Sequence, residues 1–66
     1  MPVYTFAYLH SGAEWHRGRF DSGLTAQRFG EELFKLDPRL PTDEIRVWAG
    51  DDTDRDPDAI VLREVT

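Results

Sequence analysis

The sequence has no cysteine, no asparagine and a single lysine, Lys35. Without cysteine there is no disulfide and no thiolate metal site, so a chain of 66 residues must be held by packing, or by packing and self-association. A domain of that size buries only about 60% of the surface its unfolded chain exposes, so its core is thin. Seven arginines against one lysine, with no asparagine, is a bias toward GC-rich codons and speaks of source, not of function. Long hydrophobic runs are missing too. The longest apolar-rich stretch, Val3 to Leu9, is far short of the roughly 20 residues a membrane helix needs. The N-terminus has neither the basic region nor the apolar run of a signal peptide, and a cytoplasmic protein is expected. Positive charge is scarce: the net charge is −5, which opposes non-specific binding to nucleic acid or anionic membranes.

What is present starts with eight aromatics (Tyr4, Phe6, Tyr8, Trp15, Phe20, Phe29, Phe34, Trp48), enough burial payload to argue against disorder of the whole chain. Charge is segregated. Acids and bases balance up to residue 36 and again after residue 58. The excess lies between, where Asp37, Asp43, Glu44, Asp51, Asp52, Asp54, Asp56 and Asp58 face only Arg39, Arg46 and Arg55.

Periodicity predicts four strands and one helix in a single domain, 1–66. Val3 to His10 has apolar residues on both alternating faces (Val3, Ala7, Leu9 and Tyr4, Phe6, Tyr8). That is the mark of an interior strand or one whose second face meets a partner. Ser11-Gly12 turns the chain, and Glu14 to Phe20 pairs back as a hairpin, with Gly18 marking a bulge or a close approach. Thr25 is the expected helix N-cap, with Leu24 and Phe29 at the positions of a hydrophobic staple. Ala26, Phe29, Leu33 and Leu36 form one apolar stripe that Phe34 widens, Gly30 offers close helix–sheet approach, and Asp37-Pro38 stops the helix. Glu44 to Ala49 and Ala59 to Val65 are the last two strands. The predicted fold is α+β, ββαββ: a four-stranded antiparallel sheet with one helix packed on one face.

No catalytic constellation is legible. There is no nucleophile elbow, P-loop or dinucleotide fingerprint, and the acid neighbours Glu31-Glu32 and Asp43-Glu44 point apart. The expectation is a non-enzyme with no cofactor and no metal. His10, Glu14 and His16 could meet across the first hairpin as zinc ligands, but their spacing is loose and no cysteine supports them, so they read as ordinary surface groups. Tyr4, Phe6 and Tyr8 alternate as stacking aromatics do in RNA-binding sheets, yet the surrounding acidity assigns them to the core under the helix. Trp15 and Trp48, each near an arginine (Arg17, Arg46), are candidates for an exposed hot spot, or else pack on each other across the sheet.

The biased segment is Asp51-Asp52-Thr53-Asp54-Arg55-Asp56-Pro57-Asp58. Set against a calcium loop starting at Asp52, it has Pro57 where glycine is needed and Arg63 where the bidentate glutamate belongs, with Glu64 one residue late. Three readings stand: a solvated hairpin loop, a weak calcium-binding module, or a binding surface. In the last, alternate carboxylates of an extended chain repeat at about the 7 Å spacing of phosphates and meet the basic groove of a nucleic-acid-binding protein.

The strand–turn–helix passage from Phe20 to Leu36, the Glu44–Ala49 strand, the Ala59–Val65 strand and one charged edge resemble, in size and architecture, the small anti-CRISPR proteins of phages and mobile elements. That resemblance implies an inhibitor at work in a bacterial host, occupying the DNA site of a CRISPR effector complex as a DNA mimic. The partner-binding residues would be Asp51, Asp52, Asp54, Asp56, Asp58, Asp43 and Glu44, with Trp48 and Trp15. The alternative is a protein-interaction or regulatory domain that uses an aromatic sheet face and is able to form a homodimer.

Overall fold

In the computed structural model, which describes residues 2–36 and 42–63, the elements run β1 (Val3–His10), β2 (Ala13–Asp21), α1 (Ala26–Leu36), β3 (Glu44–Ala49) and β4 (Ala59–Leu62). The four strands form one antiparallel sheet in the order β2-β1-β3-β4, with α1 on one side. This is the expected α+β arrangement. The apolar alternation on both faces of β1 is explained by its interior place, between β2 and β3. The last strand ends at Leu62, short of the expected Val65, with Arg63 outside it; the expected helix stop at Asp37-Pro38 and the residues Glu64-Val65 lie outside the described residues.

Ser11 and Gly12, both at positive φ (52° and 83°), make the two-residue turn from β1 to β2. Pairing is regular until Tyr8↔His16 and Leu9↔Glu14, where Trp15 is the extra residue of a bulge. The bulge therefore falls at Trp15, while Gly18 serves close approach: a Cβ there would sit 2.7 Å from Cζ of Phe6, whose ring lies over the glycine.

The helix begins as its sequence dictates. Thr25 Oγ1 accepts from the Arg28 N–H (3.3 Å) and its carbonyl accepts from the Phe29 N–H (2.8 Å), an N-cap. Gly30 lets α1 lie directly on β3 and β4, since a Cβ there would be 2.6 Å from Val61 Cγ2 and 3.3 Å from Val47 Cγ2. The core beneath the helix is Tyr4, Tyr8, Phe29, Ile45, Val47 and Ala59, with Phe6, Ala26, Leu33 and Phe34 packed against it. Tyr4, Phe6 and Tyr8 are thus core residues. Leu36 departs from the expected stripe: it is the last residue of the helix and is 80% exposed.

Because α1 lies over β3 and β4, the helix-side surface of β2 stays largely uncovered. Trp15 (45%) and Phe20 (65%) are exposed there, beside half-covered Phe6.

Candidate functional site

The opposite side of the sheet displays Thr5, Ala7 and Leu9 of β1, Arg17 and Arg19 of β2, Glu44, Arg46 and Trp48 of β3, and Ile60 and Leu62 of β4, as the registers require. Among the described residues no helix covers this side. Its centre is nevertheless closed: Ala7, Leu9 and Trp48 form a second buried cluster, with Trp48 only 5% exposed. Over Trp48 the cover comes from the acidic segment.

The segment leaves β3 through Gly50, whose positive φ (84°) suits glycine, and is then tied at its beginning, middle and end. At the start, the Gly50 N–H donates to the Val3 carbonyl (2.7 Å), the buried Thr5 hydroxyl donates to the Gly50 carbonyl (2.7 Å), and Arg19 pairs with Asp51 (2.7 Å). In the middle, Arg17 Nη1 donates to Thr53 Oγ1 (2.8 Å), and the Trp48 indole N–H donates to the Arg55 carbonyl (2.8 Å). The Arg17 guanidinium lies 5.6 Å over the Trp48 ring and pairs with Glu14 (2.7 Å). At the end, Arg55 clasps both oxygens of Asp58 (2.8 and 3.2 Å) and donates to the Ala49 carbonyl (2.8 Å), while Asp58 accepts from the Ala49 N–H (2.6 Å). These donors, Arg55 foremost and then the Ala49 N–H, hold the Asp58 carboxyl below the ordinary aspartate range.

The expected site residues therefore have different fates. Asp51 and Asp58 are structural fasteners as well as charges. Asp52 accepts from the Asp54 N–H (3.0 Å), which turns the chain, so the segment is a bent, docked loop and not an extended strand. Asp52, Asp54 and Asp56 remain exposed. Asp43 and Glu44 lie at the other end of β3, six residues from the loop's origin; Asp43 accepts from the Ser11 N–H (3.0 Å) and Glu44 pairs with Arg46. They do not share the loop's surface.

The two tryptophans neither form one hot spot nor stack on each other. Trp48 is buried under the loop. Trp15, re-aimed by the bulge, lies on the helix side against Tyr8 and His16 (ring centroids 5.6 and 5.8 Å), and its indole N–H donates to Thr42 Oγ1 (3.1 Å). Thr42 is 1% exposed and in turn donates to the Leu9 carbonyl (2.8 Å).

Sequence reasoning missed Arg17, Arg19, Thr53 and Arg55. The signal was there: β1 is apolar on both faces, one helix covers one face, and only the segment after Ala49 was left to cover the other.

Two clefts, of about 530 and 340 Å³, lie where β2 meets the loop, and both include Arg19 and Asp51. Their charged groups are largely each other's partners. Among the described residues no group of three or more His, Cys, Asp or Glu side chains is arranged to hold a metal ion. No helix among them is long and apolar enough to cross a membrane. No protein-family model matches the chain, and no curated protein or solved structure shows significant similarity to it.

Proposed function

We propose that this protein is a non-catalytic binding protein whose docked acidic loop occupies the basic, nucleic-acid-binding surface of a host protein. The observation that carries this reading is the fastening of the loop at start, middle and end, which leaves Asp52, Asp54 and Asp56 exposed on a held backbone. Carboxylates fixed before binding lose less freedom when they meet cations, and a basic groove that accepts them releases counterions as it does with DNA. Two of the loop's carboxylates already take guanidinium partners, Asp51 from Arg19 and Asp58 from Arg55. The resemblance to small anti-CRISPR proteins makes a CRISPR effector complex in the bacterial cytoplasm the partner class to test first.

Because Asp51 and Asp58 hold the loop, the informative variant is Asp52→Asn, Asp54→Asn, Asp56→Asn together. Wild type and variant are used as bait in a bacterial lysate, and captured effectors are challenged with double-stranded DNA and with salt. Capture by wild type of a nucleic-acid-handling complex, reversed by DNA and by salt and lost in the variant, is expected. Undiminished capture by the variant would remove the loop from the binding surface.

A second reading is favoured by one observation, the exposed rings of Trp15 (45%) and Phe20 (65%) on the helix side of β2. These would bind a protein partner, a second copy included, in a salt-tolerant way. Sedimentation over a concentration series checks the homodimer; Phe20→Ser is expected to abolish any association by this surface and to leave loop-mediated capture intact.

A further inference from the structure

The loop's middle is held by few groups, and Arg17 is the one that joins them. It sits on β2 opposite Ala7, on the side of the sheet away from the helix. From there its guanidinium reaches Glu14 of its own strand, the Thr53 hydroxyl at the loop's centre and the face of Trp48. Trp48 carries the other mid-loop fastening, its indole bond to the Arg55 carbonyl. Arg17 thus connects the sheet, the buried ring and the loop across 36 residues of sequence, and its planar fork supplies separate donors to Glu14 and Thr53 at once.

We propose that Arg17 is the positioning residue of the loop: a latch that keeps Thr53 and the neighbouring aspartates seated over Trp48. This rests on the reading of the loop as the binding surface, and says what holds that surface ready. The side chain of Arg17 is 45% exposed, and ion pairs at that exposure are weak and screened by salt. The latch therefore opens easily. When it does, the Trp48 indole loses its cover and the aspartates lose their fixed spacing. Arg17 and Arg19 take Thr53, Glu14 and Asp51 as partners, so latching leaves Asp52, Asp54 and Asp56 available to a cation-rich partner.

The two indole N–H groups provide an internal comparison, because Trp15 is bonded to Thr42, away from the loop. Hydrogen exchange of both indoles is followed by NMR in wild type, Arg17→Ala, Arg17→Lys and Thr53→Val. Arg17→Ala is expected to speed exchange at Trp48 about tenfold, with Trp15 and the amides of β1 unchanged. Arg17→Lys should give an intermediate rate, since it restores the charge but not the fork. Thr53→Val, which removes only the acceptor, should move Trp48 in the same direction. Unchanged exchange at Trp48, or equal acceleration at both indoles, would overturn the latch.

The binding arm uses an oligo-arginine peptide as probe and the charge-neutral Thr53→Val variant. Weakening of peptide binding by roughly three- to tenfold is expected. Equal binding by wild type and Thr53→Val overturns the positioning role while the loop reading stands. Failure of the peptide to bind wild type counts against the loop as a binding surface, and the latch is then judged on exchange alone.

Discussion

The two sides of the sheet are finished by different means. On one, an eleven-residue helix with an apolar stripe covers β3 and β4 and leaves Trp15 (45%) and Phe20 (65%) exposed. On the other, Trp48 is almost fully buried beneath a loop rich in aspartate. The closure there comes from a backbone carbonyl, a guanidinium and a threonine hydroxyl. A short chain that cannot build a second helix can still shield an aromatic with polar groups, provided each of them finds a partner. Among the described residues no buried side-chain nitrogen or oxygen lacks one.

That contrast is most sharply tested at the tryptophans. Trp48→Ala should cost about 3–5 kcal/mol, the usual cost of deleting a buried large aromatic, and leave the Arg55 carbonyl without its donor. Trp15→Ala should cost only about 1–2 kcal/mol, for a half-exposed ring and one hydrogen bond. Urea unfolding midpoints compare the two; equal losses would mean that the loop shields no better than open solvent does.

The glycines separate the covered and uncovered halves of the helix side. Gly30→Ala forces a methyl group against Val61 and Val47 between packed elements, an overpacking cost of about 1–3 kcal/mol that exceeds the roughly 1 kcal/mol gain in helix propensity at its upper end. Gly18→Ala meets only the Phe6 ring, which can swing toward the uncovered surface of β2, so a loss of about 1 kcal/mol or less is expected. The same unfolding series checks both, and a larger loss at Gly18 would contradict an open β2 surface.

The smallest effect is one of pH. Asp58 is held below its ordinary pKa in the folded state, so its contribution is fully present above the ordinary aspartate range, near 4, and is lost as pH falls through the lower folded value. Trp48 emission should therefore begin to shift to the red below about pH 4, and Asp58→Asn should remove that pH dependence. A shift in the neutral range instead would point to a different group.

Much of the fold could be read from local pattern. The limits of β1 and β3, the Thr25 cap and the close approach at Gly30 all follow from spacing and residue type within a few positions. The docked loop could not be read that way. Its fastenings join Arg17 to Thr53, Arg19 to Asp51 and Thr5 to Gly50 across 32 to 45 residues, and no periodicity encodes such pairs. Local pattern puts Trp48 among exposed candidates, because Arg46 shares its face and the aspartates read as solvated. Period assigns Leu36 to the buried stripe, because period alone does not tell where a helix runs past its sheet.

The bulge at Trp15 has a consequence for the free edges of the sheet. Unpaired strands at an edge can template the addition of another chain, the first step toward fibrous aggregates. Here one edge, β2, is interrupted by the bulge and lined with Glu14, Arg17, Arg19 and Asp21, and the other, β4, is only four residues long. Neither edge offers a long, flat run of hydrogen-bonding groups to copy.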